Sequence, residues 1–129
     1  MQINTHLKID NELNGKVIEL KEDYSKVELN TILKMAADEN GLVHGGFIFC
    51  AADYAAMAAV NDPFVVLAKS ETKFTAPVKV GDRVILEAKI TEKNGMRSSV
   101  EVKAKVFDKI VFIGMFYTAT LEKHVFEMN

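Results

Sequence analysis

Asp53 is the residue in this chain most able to do chemistry. It is the single charged residue in Gly46 to Val60, which reads Gly-Phe-Ile-Phe-Cys-Ala-Ala-Asp-Tyr-Ala-Ala-Met-Ala-Ala-Val. A carboxylate in such surroundings must be paired, raised in pKa, or set in a water-filled cleft, because burying its charge alone is costly. That makes it a candidate general base or nucleophile, and equally a candidate bridge at a subunit contact. Just before it lies Gly41-Leu42-Val43-His44-Gly45-Gly46, a glycine-rich turn that runs into a helix start. Free N–H groups point outward at a helix start, the helix dipole favours negative charge, and glycine lets a substrate approach the backbone. The turn can therefore hold an oxyanion, although Gly45-Gly46 also suits an ordinary tight turn and His44 an ordinary turn histidine. Cys50 precedes Asp53 by three residues on the same helix face. In an apolar helix it reads as a buried, inert thiol rather than a nucleophile.

The spacing constrains how these groups can cooperate. Gly45 and Asp53 are eight residues apart, or roughly 12 Å along a helix. Both must come within roughly 3 Å of one reacting centre to act together. One chain cannot arrange that. Two antiparallel copies of the helix in a twofold dimer can, with Asp53 of one chain facing Gly45 of the other and two equal sites per dimer.

The elements that must position these groups are legible in outline. Gly46 to Val60 has the composition and length of a helix, is apolar all the way round, and stops at Asn61-Asp62-Pro63. Such a helix must be buried, and a sheet should wrap it. Arg83 to Glu92 and Arg97 to Asp108 alternate with period two, separated by Asn94-Gly95, a hairpin signal. Ile110 to Leu121 follows a tight turn at Asp108-Lys109 and is apolar on both faces, so it should be central or at an interface. Phe64 to Phe74, Lys16 to Glu22 and Lys26 to Ile32 are further strands, with a turn at Asn14-Gly15. The expected fold is α+β, an antiparallel sheet around one long buried helix, as a single domain over 1–129.

Composition excludes several functions. Sixteen basic and eighteen acidic residues give a net charge of −2, which argues against a nucleic-acid-binding face and against a polybasic membrane patch. One cysteine rules out an internal disulfide. The first residues lack an apolar signal core, and no apolar run is long enough to span a bilayer. A cytoplasmic protein is expected. No HExxH, CxxC, GxGxxG or P-loop pattern occurs, so no metal and no cofactor are expected. His6 and His124, near the termini, should be exposed.

Gly41-x-x-His44-Gly45-Gly46, Asp53 nine positions after the histidine, and Phe74-Thr75-Ala76-Pro77-Val78-Lys79-Val80-Gly81-Asp82 entering a strand together resemble the hotdog-fold acyl-CoA thioesterases. The branch is that of the phenylacetate-pathway thioesterases and thioesterase superfamily member 2, and the resemblance spans about Lys16 to Leu121. It implies a homodimer, often a dimer of dimers. It implies Asp53 as general base or nucleophile, the Gly45 N–H as holder of the thioester oxygen, and His44 beside it. The acyl chain would lie between the helices, against Phe47, Phe49 and Met57, with Gly46 at the substrate. Coenzyme A, part of the substrate, would run along the rim. Many members of the branch carry Asn six residues before the histidine, where this chain has Asp38. A helper serine in the next strand falls near Leu67 here, with Ser70 as the displaced candidate.

Val65 to Val84 and Ile110-Val111-Phe112-Ile113-Gly114-Met115-Phe116 are similar to the effector domain of the bacterial fatty-acid biosynthesis repressor. That resemblance implies a non-catalytic acyl-CoA-binding hotdog, although only about fifteen residues precede the first strand here, too few for a DNA-binding motif. Lys69, Lys73, Arg83, Lys93 and Arg97 could each meet coenzyme A phosphates, or simply face solvent. The expectation is an acyl-CoA thioesterase; the alternatives are a ligand-sensing acyl-CoA binder and a purely structural hotdog.

Overall fold

The period-two segments form one antiparallel sheet. In the computed structural model, which describes residues 1–128, the elements are α1 (Asn11–Asn14), β1 (Lys16–Lys21), β2 (Tyr24–Asn30), α2 (Gly45–Val60), β3 (Val65–Phe74), β4 (Arg83–Asn94), β5 (Arg97–Val106) and β6 (Lys109–Thr120). The sheet order is β1-β2-β4-β5-β6-β3. Val84, Leu86 and Ala88 on β4 alternate inward with Val100, Val102 and Ala104 on β5, and all six are fully buried. Their register is direct, Leu86 opposite Ala104 and Ala88 opposite Val102. β6, apolar on both faces, lies between β5 and β3, as its pattern requires. The last residue of the expected domain, Asn129, lies outside the described residues.

Two turns fall one residue away from their expected places. The β4–β5 turn is Gly95-Met96, with Asn94 paired to Arg97 as the last strand residue. Gly95 has φ +63 and Met96 is not in the positive region, the pattern of a type II′ turn, which places glycine first. The β5–β6 turn is Phe107-Asp108 and not Asp108-Lys109; Phe107 has φ +53 and is 94% exposed. The turn expected at Asn14-Gly15 is the end of a short helix, α1. Asp10 Oδ1 caps it, accepting from the Glu12 and Leu13 N–H groups, and Gly15 ends it at φ +86.

The α2 helix is sheathed only in part by the sheet. Ala51, Ala52, Ala55 and Ala59 are buried in the core with Ile48. Small side chains let helix and sheet approach closely enough for the Ser25 hydroxyl, on β2, to donate to the Ala55 carbonyl at 2.6 Å. A second flank is covered by the N-terminal residues. Asn61, the left-handed C-cap of α2, holds them: its Oδ1 accepts from the Asn4 N–H at 2.7 Å and its Nδ2 donates to the Gln2 carbonyl at 2.9 Å. His6 is consequently half-buried, its ring 6.1 Å from that of Tyr54, and not exposed as expected; the helix it covers gives it a wall. His124 is exposed, in keeping with its position near the C-terminus. A third strip of α2, carrying Gly46, Phe49, Cys50 and Asp53, is less completely covered. Among the described residues no helix is long and apolar enough to cross a membrane.

Gly114 tests the packing where β6 meets β3. A Cβ there would stand 2.9 Å from Thr72 Cγ2, 3.0 Å from Phe116 Cε1 and 3.2 Å from Phe112 Cε1. Gly114→Ala is expected to cost about 1–3 kcal/mol and to lower the thermal midpoint, read by circular dichroism. An unchanged midpoint would show that this wall has slack.

Candidate active site

The loop before α2 is fixed by short-range hydrogen bonds. Asp38 Oδ1 accepts from the Asn40 N–H at 2.9 Å and the Leu42 N–H at 3.1 Å, stapling the 38–42 turn. Two long-range backbone bonds then anchor its end: Val43 N–H to the Val78 carbonyl, and His44 N–H to the Met35 carbonyl, at 2.8 and 2.9 Å. Asp38 thus has a structural task at the position where the resembling branch carries Asn. His44 is the N-cap of α2, is exposed, and makes no side-chain cap bond.

Rings press on both glycines. A Cβ on Gly45 would lie 3.1 Å from Phe74 Cε1, and one on Gly46 would lie 2.8 Å from His44 Nε2. Packing alone therefore favours glycine at both positions. Their N–H groups remain available: the first backbone bond of the helix start runs from the Phe47 N–H to the His44 carbonyl, and neither glycine N–H has a partner among the described residues. Gly45 opens onto an apolar cleft of about 350 Å³, lined among others by Val43, Ile48, Phe74, Pro77 and Val111. Unpaired N–H groups at a helix start, beside an apolar cleft, can take a carbonyl oxygen that develops negative charge.

Asp53 lies on the less covered strip of α2. Its Oδ1 is buried and has no hydrogen-bond partner. Burial pushes its pKa up to about 6. Cys50, one turn earlier, is exposed, which corrects the expectation of a buried thiol: its position on the helix falls where neither sheet nor N-terminal segment reaches. Partial burial and the Asp53 charge push its thiol pKa up, so the thiolate that nucleophilic attack needs is disfavoured. The helix is continuous from Gly45 to Val60, so Gly45 and Asp53 of one chain stay roughly 12 Å apart along its axis.

The remaining candidates divide. Phe49 packs on Phe116 with ring centres 5.5 Å apart, Phe116 on Phe112 at 6.4 Å, and Phe112 on Phe74 at 5.2 Å. This aromatic run joins the Asp53 strip to the Gly45 cleft. Phe47 is half-buried and meets His44 edge-on at 6.0 Å. Ser70 pairs with Phe116 and so faces the helix side. Two candidates do not converge. Met57 is 1% exposed and packed within the core cluster, away from the cleft. Lys73 pairs with Ile113 on the outer face of the sheet, beside Glu71 and Glu101, because strand alternation turns it away from Phe74 and the helix. Lys69, Arg83 and Lys93 are engaged with Glu71, Glu28 and Asp23, whereas Arg97 lines a separate shallow cleft with Glu92 and Tyr117. Phe74, Pro77 and Val111 belong to the cleft without having been singled out as site residues; the one available signal was that Phe74 and Pro77 stand in the motif that enters β4. Among the described residues no three His, Cys, Asp or Glu side chains cluster as a metal site.

Comparison with known proteins agrees with this architecture. A family model described as the thioesterase superfamily matches residues 40–111. The methylthioribose-1-phosphate isomerase of Aquifex aeolicus is 50% identical over 94% of this chain, which spans 26% of that protein. Transcription factor FapR of Exiguobacterium sibiricum is 34% identical over 83% of this chain and 58% of its own length. The chain thus spans only part of each of these curated relatives. Among solved structures, an uncharacterized protein of Pyrococcus horikoshii superposes with a TM-score of 0.96 at 52% identity, covering 98% of this chain and 97% of that one. The PaaI protein of the Escherichia coli phenylacetic acid degradation operon superposes with a TM-score of 0.76 at 20% identity, covering 83% of each chain, a likeness of fold. The matched segment contains the Gly45 turn, Asp53 and the Phe74–Asp82 motif, and the sheet packs around α2 as a hotdog, so the chain belongs to the thioesterase superfamily.

Proposed function

We propose that the protein hydrolyses an acyl-CoA thioester as a twofold dimer. The observation that carries this reading is the buried Asp53 oxygen with no protein partner, on the less covered strip of an otherwise apolar helix. The strip borders β3, since Phe49 on it packs against Phe116, the register partner of Ser70. β3 is also an unpaired sheet edge. A second copy related by a twofold axis would cover strip and edge together and bring the partner's Asp53 to Gly45.

In this mechanism the Gly45 N–H polarises the thioester carbonyl, with His44 beside it. The partner's Asp53 takes a proton from water as the water oxygen bonds to the carbonyl carbon. The tetrahedral intermediate then collapses, the C–S bond breaks, and the coenzyme A thiolate leaves with the proton. Direct attack by the carboxylate, through an anhydride that water then opens, is the variant of the same step. Phe47, Phe49 and Phe74 would bound the acyl group. A second reading, a non-catalytic acyl-CoA binder, draws support from the relatives named as transcription factors.

A panel of acyl-CoAs, assayed for release of free coenzyme A, separates the two readings. Turnover is expected with at least one acyl group, and Asp53→Asn is expected to lower kcat by about 100-fold or more. Tight binding with no turnover on the whole panel would leave the binder reading standing. The base must be ionised, so with a pKa of about 6 the rate should rise with pH to about that value and level off above it. A rate independent of pH between 5 and 8 (about one unit either side of the midpoint and beyond) would exclude Asp53 as the base.

Stability should run the other way. The folded chain holds the Asp53 proton up to about pH 6, whereas the unfolded chain releases it near its ordinary value of 3.8. Between those values the folded state binds more protons, so this group's contribution falls as pH rises and is lost above pH 6. Asp53→Asn, which carries no charge, should therefore be stabilised by on the order of 2 kcal/mol at pH 8 and by little at pH 4. Equal effects at both pH values in denaturant melts would contradict the burial argument.

A further inference from the structure

The chain ends in an apolar hook that its own fold does not use. After β6, residues Leu121–Met128 leave the sheet, and a 3-10 turn at Val125–Glu127 sets them. The turn is formed: His124 Nδ1 accepts from the Phe126 N–H at 3.0 Å, and the two rings lie 5.1 Å apart, tilted by 50°. It presents Phe126 at 91% exposure, with Val125 at 43% and Met128 at 44%. A preformed turn that holds an aromatic ring in water suits docking against another surface.

Topology decides which surface it can reach. β3 begins beside the end of β6, with Val65 opposite Thr120, and ends at the cleft, with Phe74 opposite Phe112. Within one chain the hook and the cleft therefore lie nine residues of strand apart, or roughly 30 Å. The six residues from Leu121 to Phe126 span at most roughly 20 Å even when extended. The hook cannot reach its own cleft. A twofold axis through the β3 edge reverses the ends: it sets the partner's Val65, and the hook beyond it, beside this chain's Phe74. The partner's β6 is then two strand spacings from β3, roughly 10 Å, well within reach.

We propose that the C-terminal hook of each protomer closes the cleft of the other, with the partner's Phe126 completing the apolar wall around Gly45. The pairing is chemically matched. The cleft is lined by Leu42, Phe74, Pro77 and Val111. Beside it Lys79 carries no ion pair among the described residues, and the hook offers Glu122 and Glu127 against the single Lys123. The partner's Phe126 thereby bounds the space for the acyl group. This inference rests on the dimer proposed above, and its test keeps the two apart.

The test joins hook to cleft covalently. In a Cys50→Ala background, Val125→Cys, which keeps the Phe126 ring, is combined with Leu42→Cys and, separately, with Ala76→Cys. Each protein is oxidised with copper-phenanthroline, run on a non-reducing gel, and its disulfides mapped by mass spectrometry. The expected result is a dimer linked from hook to cleft between chains, formed only when both cysteines are present. An intrachain link, or no hook-to-cleft link in a protein that sediments as a dimer, would overturn the hook and leave the dimer intact. A monomer by sedimentation would overturn the dimer and the hook with it. If acyl-CoA turnover is absent but the interchain link forms, the hydrolase reading fails and the hook stands.

Discussion

The fold of this chain is organised around a cost: one carboxylate held against the apolar surface of a helix. Asp53 keeps one oxygen out of solvent with nothing to bond it, and that burial holds its proton to about pH 6. A side chain so placed costs the isolated protomer stability once it is ionised, above about pH 6. The proposed dimer would give that carboxylate something to act on. The rest of the helix leaves it open to a partner. Alanines seat α2 on the sheet, the Asn61 clamp draws the N-terminal residues over its far half, and the strip with Asp53 is left accessible.

The second half of the chemistry is set by the same helix, at its start. The backbone bonds that anchor the 38–44 loop bring His44 to the N-cap, and the rings of His44 and Phe74 lie so close that a side chain at either glycine would have to push one of them aside. That crowding explains the glycines and leaves their N–H groups free. Packing and the proposed catalysis would then be consequences of one arrangement. Because α2 is rigid and continuous, its two functional ends cannot meet within a chain. In the proposed dimer, symmetry would supply what a single helix cannot.

Much of this was legible in the residues. The alternation in β4 and β5 located the sheet, the uniform apolarity of 46–60 located the buried helix, and Asp53 stood out by composition alone. The Gly45-to-Asp53 interval raises the shared-site arrangement that is proposed above. What was not legible depended on contacts distant in sequence. Cys50 was expected to be buried because its neighbours are apolar, but burial follows from which flanks are covered, and helix composition does not say that. Met57 and Lys73 do not reach the cleft: one is packed in the core, and the other alternates with the inward Phe74 and so stands on the outer face of the sheet. The turn positions moved by one residue because glycine took the first place of its turn and a phenylalanine accepted the left-handed conformation elsewhere.

The claim that a site is shared between two chains is the one on which the mechanism depends, and mixed dimers test it most directly. Gly45→Pro removes the N–H donor at a position where helices accept proline, and the exposed Phe74 ring must shift slightly to admit it; Asp53→Asn removes the base. Each variant alone should be nearly inactive. When the two are unfolded together and refolded in equal amounts, half the dimers are mixed. Each mixed dimer holds one intact pair, Gly45 from one chain and Asp53 from the other, so activity should return to about a quarter of the unmutated protein's. No recovery, in a mixture shown by mass spectrometry to contain the mixed dimer, would contradict the account.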